Sequence, residues 1–72
     1  MKKITLKAAR ISAGYTLREV GKKINRNFQT IAKYEKDSTK IPLDLLQELT
    51  DLYNISIDFI FLGKSTKKNV PN

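Results

Sequence analysis

Leu6, Ala9 and Ala13 recur on neighbouring helical turns, with Arg10 among them, and Leu17, Val20 and Ile24 repeat that spacing after a break. Ile31 and Tyr34 mark a third apolar stripe. Leu43, Leu46, Leu49, Leu52 and Tyr53 mark a fourth, and Ile57, Ile60 and Phe61 a short fifth. The residues between these stripes have end-of-helix chemistry. Thr5 is placed to cap the first helix, and Gly14 stands where a left-handed C-terminal cap wants glycine. Thr16 with Glu19 three residues on reads as a capping box for the second helix. Asn25 sits where that helix must stop, and Asn tolerates positive φ better than most residues. Asn27 is an N-cap for a third helix from about Phe28 to Lys36, and Asp37 to Lys40 form a polar loop. Pro42 suits the first turn of the fourth helix, where its missing N–H costs nothing. Asn54 ends that helix, Ser56 caps the fifth and Gly63 ends it. Ile55-Ser56-Ile57 alternates, but over too short a run to predict a strand. The pattern therefore predicts an all-α domain of five short helices over residues 1–63, followed by a flexible polar tail, 64–72.

The stretch from Gly21 to Glu35 is the informative one. Asn25-Arg26-Asn27 interrupts what could have been a single long helix. A sharp turn lets one helix brace the next at a steep angle, so that the second protrudes and fits a DNA major groove. Such packing requires a small residue where the two helices cross, and Gly21 is there. It requires a turn residue tolerant of positive φ, and Asn25 is there. Val20, Ile24, Ile31 and Tyr34 supply the inward apolar positions on either side.

Charge sharpens this picture. Of the 72 residues, 1–40 hold eleven Lys or Arg against Glu19, Glu35 and Asp37, whereas 41–63 hold Asp44, Glu48, Asp51 and Asp58 and no base. The net charge is +7. A basic part joined to an acidic part suggests one face for a polyanion and another turned away from it. The chain has no Cys and no His. That excludes disulfides, thiolate zinc sites, a cysteine nucleophile and an imidazole proton shuttle. No phosphate-binding glycine loop is present either, so the expectation is a non-enzymatic protein without metal or cofactor. Lys7 and Arg10 interrupt the apolar run that a signal peptide would need after Met1-Lys2-Lys3, and no stretch is apolar enough to span a membrane. A soluble, cytoplasmic protein is expected.

Residues 5–63 resemble the Cro and phage-repressor type of helix-turn-helix domain. Leu6-Lys7-Ala8-Ala9-Arg10 is similar to its first helix, Thr16 to Gly21 to its second, and Asn27 to Glu35 to its recognition helix. The likeness continues through Ile41-Pro42-Leu43-Asp44-Leu45-Leu46 and Tyr53-Asn54-Ile55-Ser56-Ile57-Asp58. The resemblance implies a lambda-repressor-like fold and a transcriptional regulator, a repressor by preference, that reads double-stranded DNA. It implies base contacts from Phe28, Gln29, Thr30 and Lys33. Gln29 offers an amide that pairs with adenine, and Phe28 either meets a thymine methyl or folds back as core before Ile31. Phosphate contacts are expected from Thr16, Leu17 and Arg18 at the start of the second helix, where free N–H groups gather, and from Arg26, Asn27, Lys36, Ser38, Thr39 and Lys40. The resemblance also implies an ion pair between Arg10 and Glu35 that turns Arg10 toward phosphate.

Two positions depart from the family pattern. Leu17 stands where a phosphate-binding glutamine is usual, and Arg26 where an apolar residue is usual. Arg26 either covers apolar surface with its stem or reaches DNA. The resemblance further implies a two-fold operator and a homodimer, for which Phe59, Ile60, Phe61 and Leu62 are the candidate interface, unless they close the core of a small domain. The competing reading is a small protein-interaction module that kept the fold, such as an antitoxin.

Overall fold

A computed structural model describes residues 2–64. Within them the chain forms α1 (Leu6–Ala13), α2 (Leu17–Ile24), α3 (Phe28–Lys36) and α4 (Leu43–Tyr53), then a single 3-10 turn, Ile57–Phe59. The all-α class holds, but the expected fifth helix is only this turn. Ser56 does cap it, accepting from the Asp58 N–H. The Ile60 N–H closes the turn on the Ile57 carbonyl, and the chain then straightens, because residues 59 and 61 bond to the N-terminal segment at Ile4. The N–H of Ile4 donates to the Phe59 carbonyl and the N–H of Phe61 to the Ile4 carbonyl, at 2.9 and 2.8 Å. This clasp ties the two ends of the described chain together. Lys64, assigned to the tail by sequence, instead forms an isolated antiparallel bridge with Asp37. The rest of the expected tail, 65–72, lies outside the described residues.

The helix ends follow from local chemistry. The Ala8 N–H donates to Thr5 Oγ1 at 3.1 Å. Gly14 is left-handed at φ 87°, and Asn25 and Asn54 both take φ 58°. The Thr16–Glu19 box is closed in both directions, with Glu19 N–H to Thr16 Oγ1 at 3.2 Å and Thr16 N–H to Glu19 Oε1 at 2.8 Å. Pro42 sits one position earlier than expected, as the N-cap of α4 without a side-chain bond.

The core is small. Val20, Ile31, Leu45, Leu49 and Ile60 are fully buried, joined by Leu6, Ala9, Leu46 and Tyr53. Burying each large aliphatic side chain contributes about 1.5–3 kcal/mol. Every helix supplies at least one of these residues, so the core holds α2 and α3 at a fixed angle. On α4 the buried face is rotated from the expected one: Leu45 is inside, while Leu43 is 62 % exposed. Among the described residues no helix is long and apolar enough to cross a membrane.

Candidate nucleic-acid interface

Gly21 sets the geometry of the α2–α3 pair. An added Cβ there would stand 2.8 Å from the Arg26 carbonyl oxygen and 3.3 Å from Phe28 Cβ. The Arg26 N–H reaches back to the Gly21 carbonyl at 2.9 Å, so the turn folds directly against the glycine. Asn27 then caps α3, its Oδ1 accepting from the Gln29 N–H at 2.7 Å.

This turn presents α3 with its first residues outward. Gln29 and Lys33, four positions apart, are both exposed on one face. Thr30 is half-buried beside them, and the Lys33 ammonium lies 5.1 Å from the Tyr34 ring centroid. Phe28 is half-buried and stands apart from the apolar cluster of the core. Its ring packs instead beneath the Arg18 guanidinium, 4.5 Å from centroid to Cζ. The alternative left open by the sequence is thus decided against the core.

The residues expected to hold phosphate divide into two sets. At the start of α2 the backbone N–H groups of Leu17 and Arg18 precede the first intrahelical bond and point outward at the positive end of the helix dipole. Leu17 contributes only that backbone group, since its side chain packs on the core. Lys36 and Lys40 are exposed beyond α3, and Thr39 is exposed with its N–H and hydroxyl both donating to Asp37 Oδ1. Those bonds hold the Asp37 carboxyl below the usual carboxylate range.

Three of the residues expected at phosphate have their side chains engaged within the protein. Ser38 is 4 % exposed; its hydroxyl lies between the Phe61 and Gly63 carbonyls and accepts from the Gly63 N–H at 2.9 Å. It anchors the C-terminal segment and has no access to a phosphate. Arg26 donates from Nε to Glu48 Oε1 at 2.8 Å and from Nη2 to Asp44 Oδ2 at 3.2 Å. Its guanidinium therefore clamps the turn to α4. The acidic pair at 44 and 48, one helical turn apart, was the available sequence signal for this clamp.

Arg10 is the third. The expected ion pair is present, with Arg10 Nε 2.7 Å from Glu35 Oε2 and Nη2 3.3 Å from Oε1. Nη1 donates to the Tyr15 carbonyl at 2.9 Å. The bonds to Glu35 raise the Arg10 pKa above its ordinary value. With three nitrogens engaged and the residue 9 % exposed, Arg10 is turned into the protein and ties α1 to α3.

The sequence model of the family described as helix-turn-helix matches residues 6–60. The matched stretch takes in α2, the turn and α3, together with α1 and α4. The chain belongs to that family, in the Cro and phage-repressor type. It is also 42 % identical over 66 residues to the HTH-type transcriptional regulator ImmR of Bacillus subtilis (strain 168). That match takes in 89 % of this chain and 51 % of ImmR, so the chain spans about half the length of its curated relative.

Proposed function

We propose that this chain is a DNA-binding transcriptional regulator that lays α3 in the major groove, and that it acts as a repressor by occupying an operator. The observation that carries this is the exposed Gln29–Lys33 face of α3, held outward by the Gly21 crossing. A major groove is wide enough for one helix, and Gln is suited to a bidentate pair with adenine. Thr30 lies at the edge of the same face. Leu17 and Arg18 N–H groups, with Lys36 and Lys40, supply phosphate contacts that set affinity and its salt dependence. Asn27 holds the helix start and adds at most its free amide group. Arg10 and Glu35 orient α3.

The operator is two-fold symmetric and the protein binds it as a homodimer. The apolar groove of Leu43, Phe61 and Leu62, beside Lys3 and Asp58, supports this reading. Ile60 lines the floor of the groove and is 2 % exposed, so it is chiefly a core residue. Access to DNA places the protein in the cytoplasm. No cofactor enters this mechanism.

Selection of bound sequences from random duplex DNA, repeated at several salt concentrations, tests the reading. A palindromic site with a steep salt slope is expected, and Gln29→Ala should relax preference at one base position per half-site. Absence of any preferred sequence, together with capture of a protein partner at the α3 face, would replace the reading with the interaction-module one.

A further inference from the structure

Arg18 was expected at a phosphate, yet its guanidinium lies over the Phe28 ring, 4.5 Å from the centroid. Arg18 is exposed, and the two residues come from different helices. Both line one open concavity between α2 and α3, together with Gly21, Lys22, Asn25 and Asn27. Arg26 borders the same concavity, but its guanidinium is held by Asp44 and Glu48. Arg18 is therefore the arginine there with no carboxylate partner among the described residues.

Stacking changes what an arginine can do. A free surface arginine samples many rotamers and meets phosphate as a diffuse charge. One held over an aromatic face keeps its planar fork of N–H donors in a fixed direction. That fork matches the O6 and N7 acceptors of guanine in the major groove, the commonest specific arginine contact. The ring beneath it offers an apolar edge, and the apolar feature of the groove is the thymine methyl. The two groups are in stacking contact, 4.5 Å from Cζ to the ring centroid, so whatever they touch must be neighbouring groups of the groove.

We infer that Arg18 and Phe28 form one composite reader of a thymine–guanine step, in which Phe28 meets the methyl and Arg18 pairs with the guanine. This inference rests on the DNA-binding reading above and makes Arg18 a specificity determinant. Because 5-methylcytosine carries its methyl at the same ring position as thymine, the pair accepts a methylated cytosine–guanine step in place of the first.

The test is sequence selection from random duplex DNA with the wild type, Arg18→Ala, Arg18→Lys and Phe28→Leu, each checked for helix content and thermal unfolding. The wild type should enrich a thymine–guanine step in each half-site. Arg18→Ala and Arg18→Lys should lose the guanine preference, about 10-fold or more in the ratio of affinities, while the Gln29 position stays selected. Phe28→Leu keeps an apolar contact but removes the stacking platform, and should weaken the guanine preference although Arg18 is present. On the selected site, uracil for thymine should weaken binding, and 5-methylcytosine should restore it relative to unmodified cytosine. If Arg18→Ala instead lowers affinity equally on all sequences and reduces the salt slope by about 1, Arg18 is a phosphate contact and the inference fails. That outcome leaves the DNA-binding reading standing. Loss of all sequence preference in the wild type would remove both.

Discussion

Arg10 on α1 and Glu35 on α3 meet 25 residues apart in sequence, at 2.7 Å, with side chains 10 % and 7 % exposed. A pair this withdrawn from water contributes little net stability over a well-packed apolar substitute, because desolvating both charges offsets their attraction. Breaking it is another matter. Glu35→Ala leaves a buried cation, which costs about 3–5 kcal/mol, comparable to what a single small core supplies. Glu35→Ala should therefore be largely unfolded by circular dichroism at 25 °C. The double variant Arg10→Met/Glu35→Leu should recover most of the melting temperature. If the double variant melts no higher than Glu35→Ala, the pair itself stabilises the fold.

Beneath that pair sits Tyr53, whose hydroxyl is buried and has no hydrogen-bond partner among the described residues. Burial pushes its pKa above the ordinary value, the Glu35 carboxylate adds to the rise and Arg10 opposes it. An unfolded tyrosine ionises near about pH 10. Above that pH the unfolded chain has lost a proton that the native one retains, so stability falls as pH rises. Tyr53→Phe isolates the tyrosine's own contribution. The variant should match or exceed the wild type at pH 7, since it removes an orphaned hydroxyl worth about 1–3 kcal/mol. Its urea midpoint should then fall less steeply above pH 10. Parallel pH profiles for the two proteins would exclude Tyr53 as the source.

Gly21 makes its own prediction. In most helices Gly→Ala is stabilising by about 1 kcal/mol. Here the new methyl would meet the backbone oxygen of Arg26 at 2.8 Å, and backbone cannot swing aside as a side chain can. The α2–α3 angle must open instead. Gly21→Ala should lose about 1–3 kcal/mol in denaturant unfolding. It should also weaken DNA binding in samples that remain folded. Unchanged operator affinity in a folded variant would mean that the crossing does not set the angle of α3.

Which of these relationships the sequence disclosed depends on their range. Caps are local, so Thr5, Gly14, Thr16 with Glu19, Asn25 and Asn27 were all readable from chemistry within three residues. Gly21 was readable because a crossing requires a small residue. The fifth helix was misread because its fate depends on Ile4, whose backbone captures Phe59 and Phe61 from the far end of the chain. Ser38 looked like a polar loop residue for the same reason: its partners at 61 and 63 are distant in sequence. The α4 face was offset because Leu43 precedes the turn that packs. Arg18 on Phe28 joins two helices through a turn whose angle spacing does not give, and the ion pair of Arg10 and Glu35 was legible only through family resemblance.

Arg26 offers the sharpest separation between holding the fold and holding DNA. Its guanidinium is engaged by Asp44 and Glu48, and those bonds keep its pKa above the ordinary value. Both carboxylates are exposed, so the clamp is open to water and screened by salt. Each lysine or arginine that neutralises a phosphate adds about 1 to the slope of log affinity against log salt. Arg26→Gln should therefore leave that slope unchanged, whereas Lys36→Gln should lower it by about 1. The reciprocal variant is more telling. Asp44→Asn/Glu48→Gln removes two negative charges and releases the arginine beside the turn. Operator affinity at low salt should rise and the slope should steepen by about 1, as Arg26 becomes free to reach a phosphate. A fall in slope for Arg26→Gln in the otherwise native chain would show that the clamp opens when DNA binds.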